Sequence, residues 1–86
     1  MTTATANRIA RITDKAQQAG WDVTREQDGN WSYVHLTAPD GYRYTIGSRD
    51  TEGNRGRTYV VRSIGTSVVN VTMRALERDI YWHAAA

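Results

Sequence analysis

Glycine and proline punctuation constrains this 86-residue chain more than any other feature. Gly20, the run Asp28-Gly29-Asn30, the run Pro39-Asp40-Gly41 and Gly65 divide it into segments. Gly supplies the positive dihedral that tight turns need, and Pro presets the first dihedral of a turn. The segments between these marks alternate in polarity. In 21–27, Trp21, Val23 and Arg25 alternate with Asp22, Thr24 and Glu26, the period of a half-buried strand. In 31–37, Trp31, Tyr33, His35 and Thr37 share one face and Val34 and Leu36 the other. In 42–47, Tyr42, Tyr44 and Ile46 oppose Arg43 and Thr45. Three strands in two hairpins follow.

The ends read differently. Ile9, Ile12, Ala16 and Ala19 recur at helical spacing over 7–19, and Gly20 stands where a helix stops. Val69, Met73, Leu76 and Ile80 form a second stripe, so a final helix is expected from a cap at Thr66 or Ser67 to about Trp82. Its β-branched start at 68–72 is poor helix sequence. Residues 58–64 (TYVVRSI) have the β-propensity of a fourth strand. Residues 47–57 contain no apolar side chain and are expected to be an exposed loop. Residues 1–6 are expected to form a flexible N-terminus, with one domain over 7–83. The expected fold is α+β, in the order α-β-β-β-(β)-α, with two helices packed on one face of a small antiparallel sheet.

Composition removes several kinds of chemistry. There is no Cys, hence no disulfide, thiolate nucleophile or cysteine metal site. His35 and His83 are too few and too scattered for zinc, and Asp50 and Glu52 stand on a loop with no His nearby. No metal or cofactor is expected. No apolar run reaches the roughly 18 residues a membrane helix needs, and a soluble cytoplasmic protein without a membrane partner is the default expectation. The net charge of +2 is small, but it is unevenly spread. Over 43–62, five arginines stand against two acids. The first helix carries Arg8, Arg11 and Lys15 against Asp14. Ten of the eleven basic residues are Arg, whose planar fork suits phosphate oxygens.

Residues 17–31 (QQAGWDVTREQDGNW) followed by 38–46 (APDGYRYTI) resemble the HicA-like proteins, small RNA-cleaving toxins and related proteins of actinobacteria and their phages. The shared pattern is Ala19-Gly20-Trp21 at a helix end, Arg25 on a strand, Gly29 in a turn, and Pro39-Asp40-Gly41 between strands. It covers about residues 8–47. The resemblance implies a fold like that of double-stranded-RNA-binding domains, α-β-β-β-α, and structured RNA as ligand. It also locates a departure. The toxins place a catalytic His ten residues beyond the helix-ending Gly, and counting from Gly20 gives Asn30. An amide does not exchange protons near neutral pH, whereas imidazole does. The segment 31–39 is also a few residues longer than is usual in the family.

His35 is the alternative acid/base, with no nucleophile or carboxylate beside it in sequence; His83 is read as inert. Trp31, Tyr33, Tyr42 and Tyr44 are read first as the sheet face beneath the helices, because a chain without Phe must build its core from Tyr and Trp. The second reading is a base-stacking platform with Arg43 and Arg62 on phosphates. Arg49, Arg55 and Arg57 are candidates for phosphate contacts on the 47–57 loop, although GNRGR lacks the Gly-Lys-Ser/Thr ending of a P-loop. Tyr81 and Trp82 are read as packing on the sheet, or else as docking a partner. Three functions follow in order: a non-catalytic nucleic-acid-binding module, a phage or mobile-element module that binds a host or antitoxin protein, and an active RNA-cleaving toxin. The sequence leaves the oligomeric state open.

Overall fold

The computed structural model describes residues 3–49 and 57–82. The element order is α1 (Thr3–Gln18), β1 (Asp22–Asp28), β2 (Trp31–Thr37), β3 (Arg43–Arg49), β4 (Arg57–Ile64), β5 (Ser67–Val71) and α2 (Met73–Trp82). The architecture is α+β, and the five strands form one antiparallel meander in the order β1-β2-β3-β4-β5.

Helix α1 begins at Thr3, inside the stretch expected to be flexible. It ends in a left-handed glycine. Gly20 has φ 86°, its N–H donates to the Gln17 carbonyl at 3.1 Å, and the Trp21 N–H donates to the Ala16 carbonyl at 2.9 Å. Those two bonds are the Schellman pair that satisfies the last helical carbonyls. The same turn drives Trp21 into the core, where it is 4% exposed and its ring meets Tyr44 at 5.5 Å.

Two hairpins use two-residue turns. Asp28 pairs with Trp31 around Gly29 (φ 59°), and Ile64 pairs with Ser67 around Gly65 (φ 57°). The β2–β3 connection closes with the Gly41 N–H on the Ala38 carbonyl at 3.0 Å, with Pro39 and Asp40 at the centre.

The fifth strand corrects the expected long final helix. Residues 67–71 pair with β4, and α2 starts only at Met73. The β-branched run Val68, Val69, Val71 and Thr72 prefers extended backbone. Val69 matched the helical stripe by coincidence of spacing. The cap is Thr72 rather than Thr66 or Ser67: its Oγ1 accepts from the Ala75 N–H at 3.0 Å. The 47–57 loop is also shorter than expected, since β3 runs through Arg49 and β4 begins at Arg57, with Arg49 opposite Arg57.

Alternation sorts the sheet into two faces. Leu36, Tyr44, Ile46 and Val60 point to one side and join Ile12, Ala16, Leu76 and Ile80 in the core, so both helices lie on that side. Leu36 and Leu76 are 0% exposed, and each such side chain contributes about 1.5–3 kcal/mol by leaving water. Thr13, the largest buried polar residue, returns its hydroxyl to the Ile9 carbonyl at 2.8 Å. No described helix is long and apolar enough to cross a membrane.

Candidate nucleic-acid interface

The opposite face carries every second residue of the same strands, and no described helix covers it. The register places Trp31 beside Arg49 and Arg57, Tyr33 beside Gly47 and Tyr59, His35 beside Thr45 and Val61, and Thr37 beside Arg43 and Ser63. Four rings therefore gather on one surface. Trp31 and Tyr33 lie nearly parallel with centroids 6.2 Å apart, as do Tyr33 and His35, while Tyr59 meets Trp31 edge-on at 5.6 Å.

Gly47 makes this gathering possible. A Cβ at that position would stand 2.4 Å from the Tyr59 ring. The outer end of the Tyr59 ring therefore occupies the space a side chain at Gly47 would fill, which brings it across β3 toward Trp31. A glycine inside a strand often marks such a close approach. The sequence alone does not single out Tyr59; its one signal is Gly47, which reads there as the end of a strand.

The expectation that Trp31, Tyr33, Tyr42 and Tyr44 share one sheet face is corrected by the register. Tyr44 lies under the helices, 2% exposed, and Tyr42 packs against the core. Trp31 and Tyr33 lie on the far side of the sheet. Tyr44 donates its hydroxyl to Asp79 of α2, and Arg62 reaches the same pair from β4, 3.7 Å from the Asp79 carboxylate and 5.4 Å from the Tyr42 ring centre. Removal from water pushes the Tyr44 phenol up to about 12, the bond to Asp79 adds to this, and Arg62 opposes it. The bond to Tyr44 raises Arg62 above its ordinary value. Arg62 is thus engaged on the helix side.

The candidate arginines fall into two groups. Arg43, Arg49 and Arg57 are exposed on the ring-bearing face, and the Arg49 guanidinium lies 5.9 Å from the Trp31 ring centre. Arg8, Arg11 and Lys15 line a groove with Ile12 and Glu77 on the helical side, where Arg8 donates to Glu77 at 2.8 Å. Arg55, His83, Asp50 and Glu52 lie outside the described residues. Charge also changes across the open face: β1 contributes Asp22, Glu26 and Asp28, and β3 and β4 contribute the arginines. The Tyr33 phenol is raised first by partial removal from water and then by Tyr59, Asp28 and Glu26.

His35 has the neighbours its sequence surroundings lacked. Its Nδ1 lies 2.9 Å from the Thr45 hydroxyl and its Nε2 lies 3.0 Å from the Glu26 carboxylate. Pairing brings both across from adjacent strands. This carboxylate–imidazole–hydroxyl array fixes the ring plane against Tyr33 and leaves the His35 side chain 16% exposed. Asn30 sits exposed at the tip of the β1–β2 hairpin. Among the described residues no group of three His, Asp or Glu is placed to hold a metal ion.

No family model, curated protein or solved structure matches this chain. The sheet carries two strands more than the three that the HicA-like resemblance implies.

Proposed function

We propose that this domain binds single-stranded nucleic acid, RNA above all, on its open sheet face and performs no chemistry on it. The observation that carries the proposal is the ring group Trp31, Tyr33, His35 and Tyr59 flanked by Arg43, Arg49 and Arg57. Unpaired bases stack on aromatic side chains, and arginine takes the phosphates between them. Arg43 and Arg49 are six residues apart on one strand, a span of about 20 Å, so they bracket the rings along β3. The acidic β1 edge directs the phosphates toward β3 and β4. The reading differs from the structured-RNA ligand implied by the HicA-like resemblance, because rings on an open sheet face suit splayed bases. It keeps that resemblance's other consequence, since Asn30 supplies no acid or base at the toxin's catalytic position.

The test is binding of a labelled single-stranded RNA and its duplex at low and moderate salt, followed by a gel of the RNA. Expected are preference for the single strand, a salt slope of about 2 from three arginines, and intact RNA. Absence of binding at low salt would overturn the proposal in favour of a host or antitoxin protein as partner. Cleaved RNA would restore the toxin reading, with His35 as the group to mutate.

A further inference from the structure

We infer that the free edge of β5 is a homodimer interface, joining two copies into a continuous ten-stranded sheet. The inference is independent of the nucleic-acid proposal and rests on how the two edges of the sheet differ.

Edge strands expose unpaired backbone donors and acceptors, and folded proteins normally blunt them with charge, proline or bulges. The β1 edge is blunted: Asp22, Arg25, Glu26 and Asp28 make four charged residues in seven. The β5 edge, Ser-Val-Val-Asn-Val, carries no charge and no proline, and it pairs with β4 without a bulge. Two of its three valines stay in water, Val68 62% exposed and Val69 44%, while Val71 packs against the core. Ile64, at the end of the adjoining hairpin, is 45% exposed. These three are half of the exposed large apolar residues among those described, and they cluster at one corner of the sheet.

A second copy is the occupant that fits. Antiparallel pairing of a strand with itself is two-fold symmetric and closes as a dimer. One register uses all five residues: Val69 faces Val69 of the second copy, Val68 faces Asn70, and Ser67 faces Val71. No charge meets a like charge in that register. Pairing β5 with a β1 edge would instead run head to tail and build an open chain of molecules. Five residues form a small contact by the standards of stable interfaces, so the dimer should be concentration-dependent.

The test is sedimentation equilibrium of the full chain without nucleic acid, from about 10 µM to about 1 mM. The expected result is a shift from the monomer mass of 9.7 kDa to twice that value, with no larger species. Val69→Lys should hold the mass at monomer across the range, while Thr24→Lys on β1 should leave the dimer intact. If Val69→Lys fails to fold, Val68→Lys tests the same edge from the other face. Hydrogen exchange at low and high concentration gives a second readout, with added protection expected at β5 alone. A wild-type chain that stays monomeric at the highest concentration would overturn the inference. So would a dimer that Thr24→Lys breaks and Val69→Lys does not, or a ladder of higher masses.

Discussion

Leu36 and His35 are adjacent on β2, yet they live in different worlds. Leu36 is sealed beneath two helices, 0% exposed, among Ile12, Tyr44, Ile46 and Leu76. His35 stands on the other side of the same strand, in a line of rings laced to Glu26 and Thr45. The covered face spends its apolar residues on stability. The other face holds rings and arginines that a core would not need, in an order that three adjacent strands must cooperate to make. That difference separates what holds the molecule together from what it leaves exposed on the sheet.

The largest expected effect lies on the covered face. Leu36→Ala removes a fully buried side chain and should cost about 2–5 kcal/mol in urea unfolding. A loss within the range of surface substitutions would erase the distinction between the faces. Next comes alkaline pH. Tyr44 is raised to about 12 in the fold from 10 when unfolded, so its contribution is complete below pH 10 and is lost as pH rises toward 12. A loss on the order of 1–3 kcal/mol is expected over that window, and Tyr44→Phe should flatten that part of the stability profile.

Effects on the open face should appear in binding. Trp31→Ala should weaken single-stranded RNA by about 1–3 kcal/mol, the worth of one stacked base, while moving the urea midpoint less than Leu36→Ala does. Gly47→Ala is subtler. The new methyl meets the far end of the Tyr59 side chain, which can swing away. Stability should change by about 1 kcal/mol or less, and RNA affinity should fall because Tyr59 leaves the ring group. Equal affinity with a displaced Tyr59 would remove that ring from the interface. Thr72→Ala should cost about 1 kcal/mol through the lost helix cap, and Thr66→Ala about half that or less; the reverse order would put the start of α2 where the sequence pattern first placed it.

Much of the covered face was legible because its signals are local. The Ile9, Ile12, Ala16 stripe, the Gly20 stop and the alternation in β2 each report on their own few residues. The fifth strand was harder, because Val69 serves both periods: it is a strand residue opposite Arg62 and also stands four residues before Met73. Only pairing with β4 decides between them, and pairing is not a local property. The open face was the least legible. Trp31 and Tyr33 were placed on one side of β2 by alternation, but which side the helices would cover depended on Leu36 packing with Tyr44 from the next strand. The His35 array needed the register of three strands, and the role of Gly47 needed the position of Tyr59 on β4. The arginines are legible as two local clusters, but which sheet face each would reach depended on the fold, which sends Arg62 to the helix side and Arg43, Arg49 and Arg57 to the other.

Amide chemical-shift mapping during titration with a short single-stranded RNA tests the open face as the binding surface most directly. Shifts concentrated at Trp31, Tyr33, Thr45, Gly47, Arg49 and Tyr59, with α1 unmoved, are the predicted result. Shifts confined to Arg8, Arg11, Lys15 and their neighbours would place nucleic acid on the helical side and contradict the account, as would a spectrum that RNA leaves unchanged at low salt.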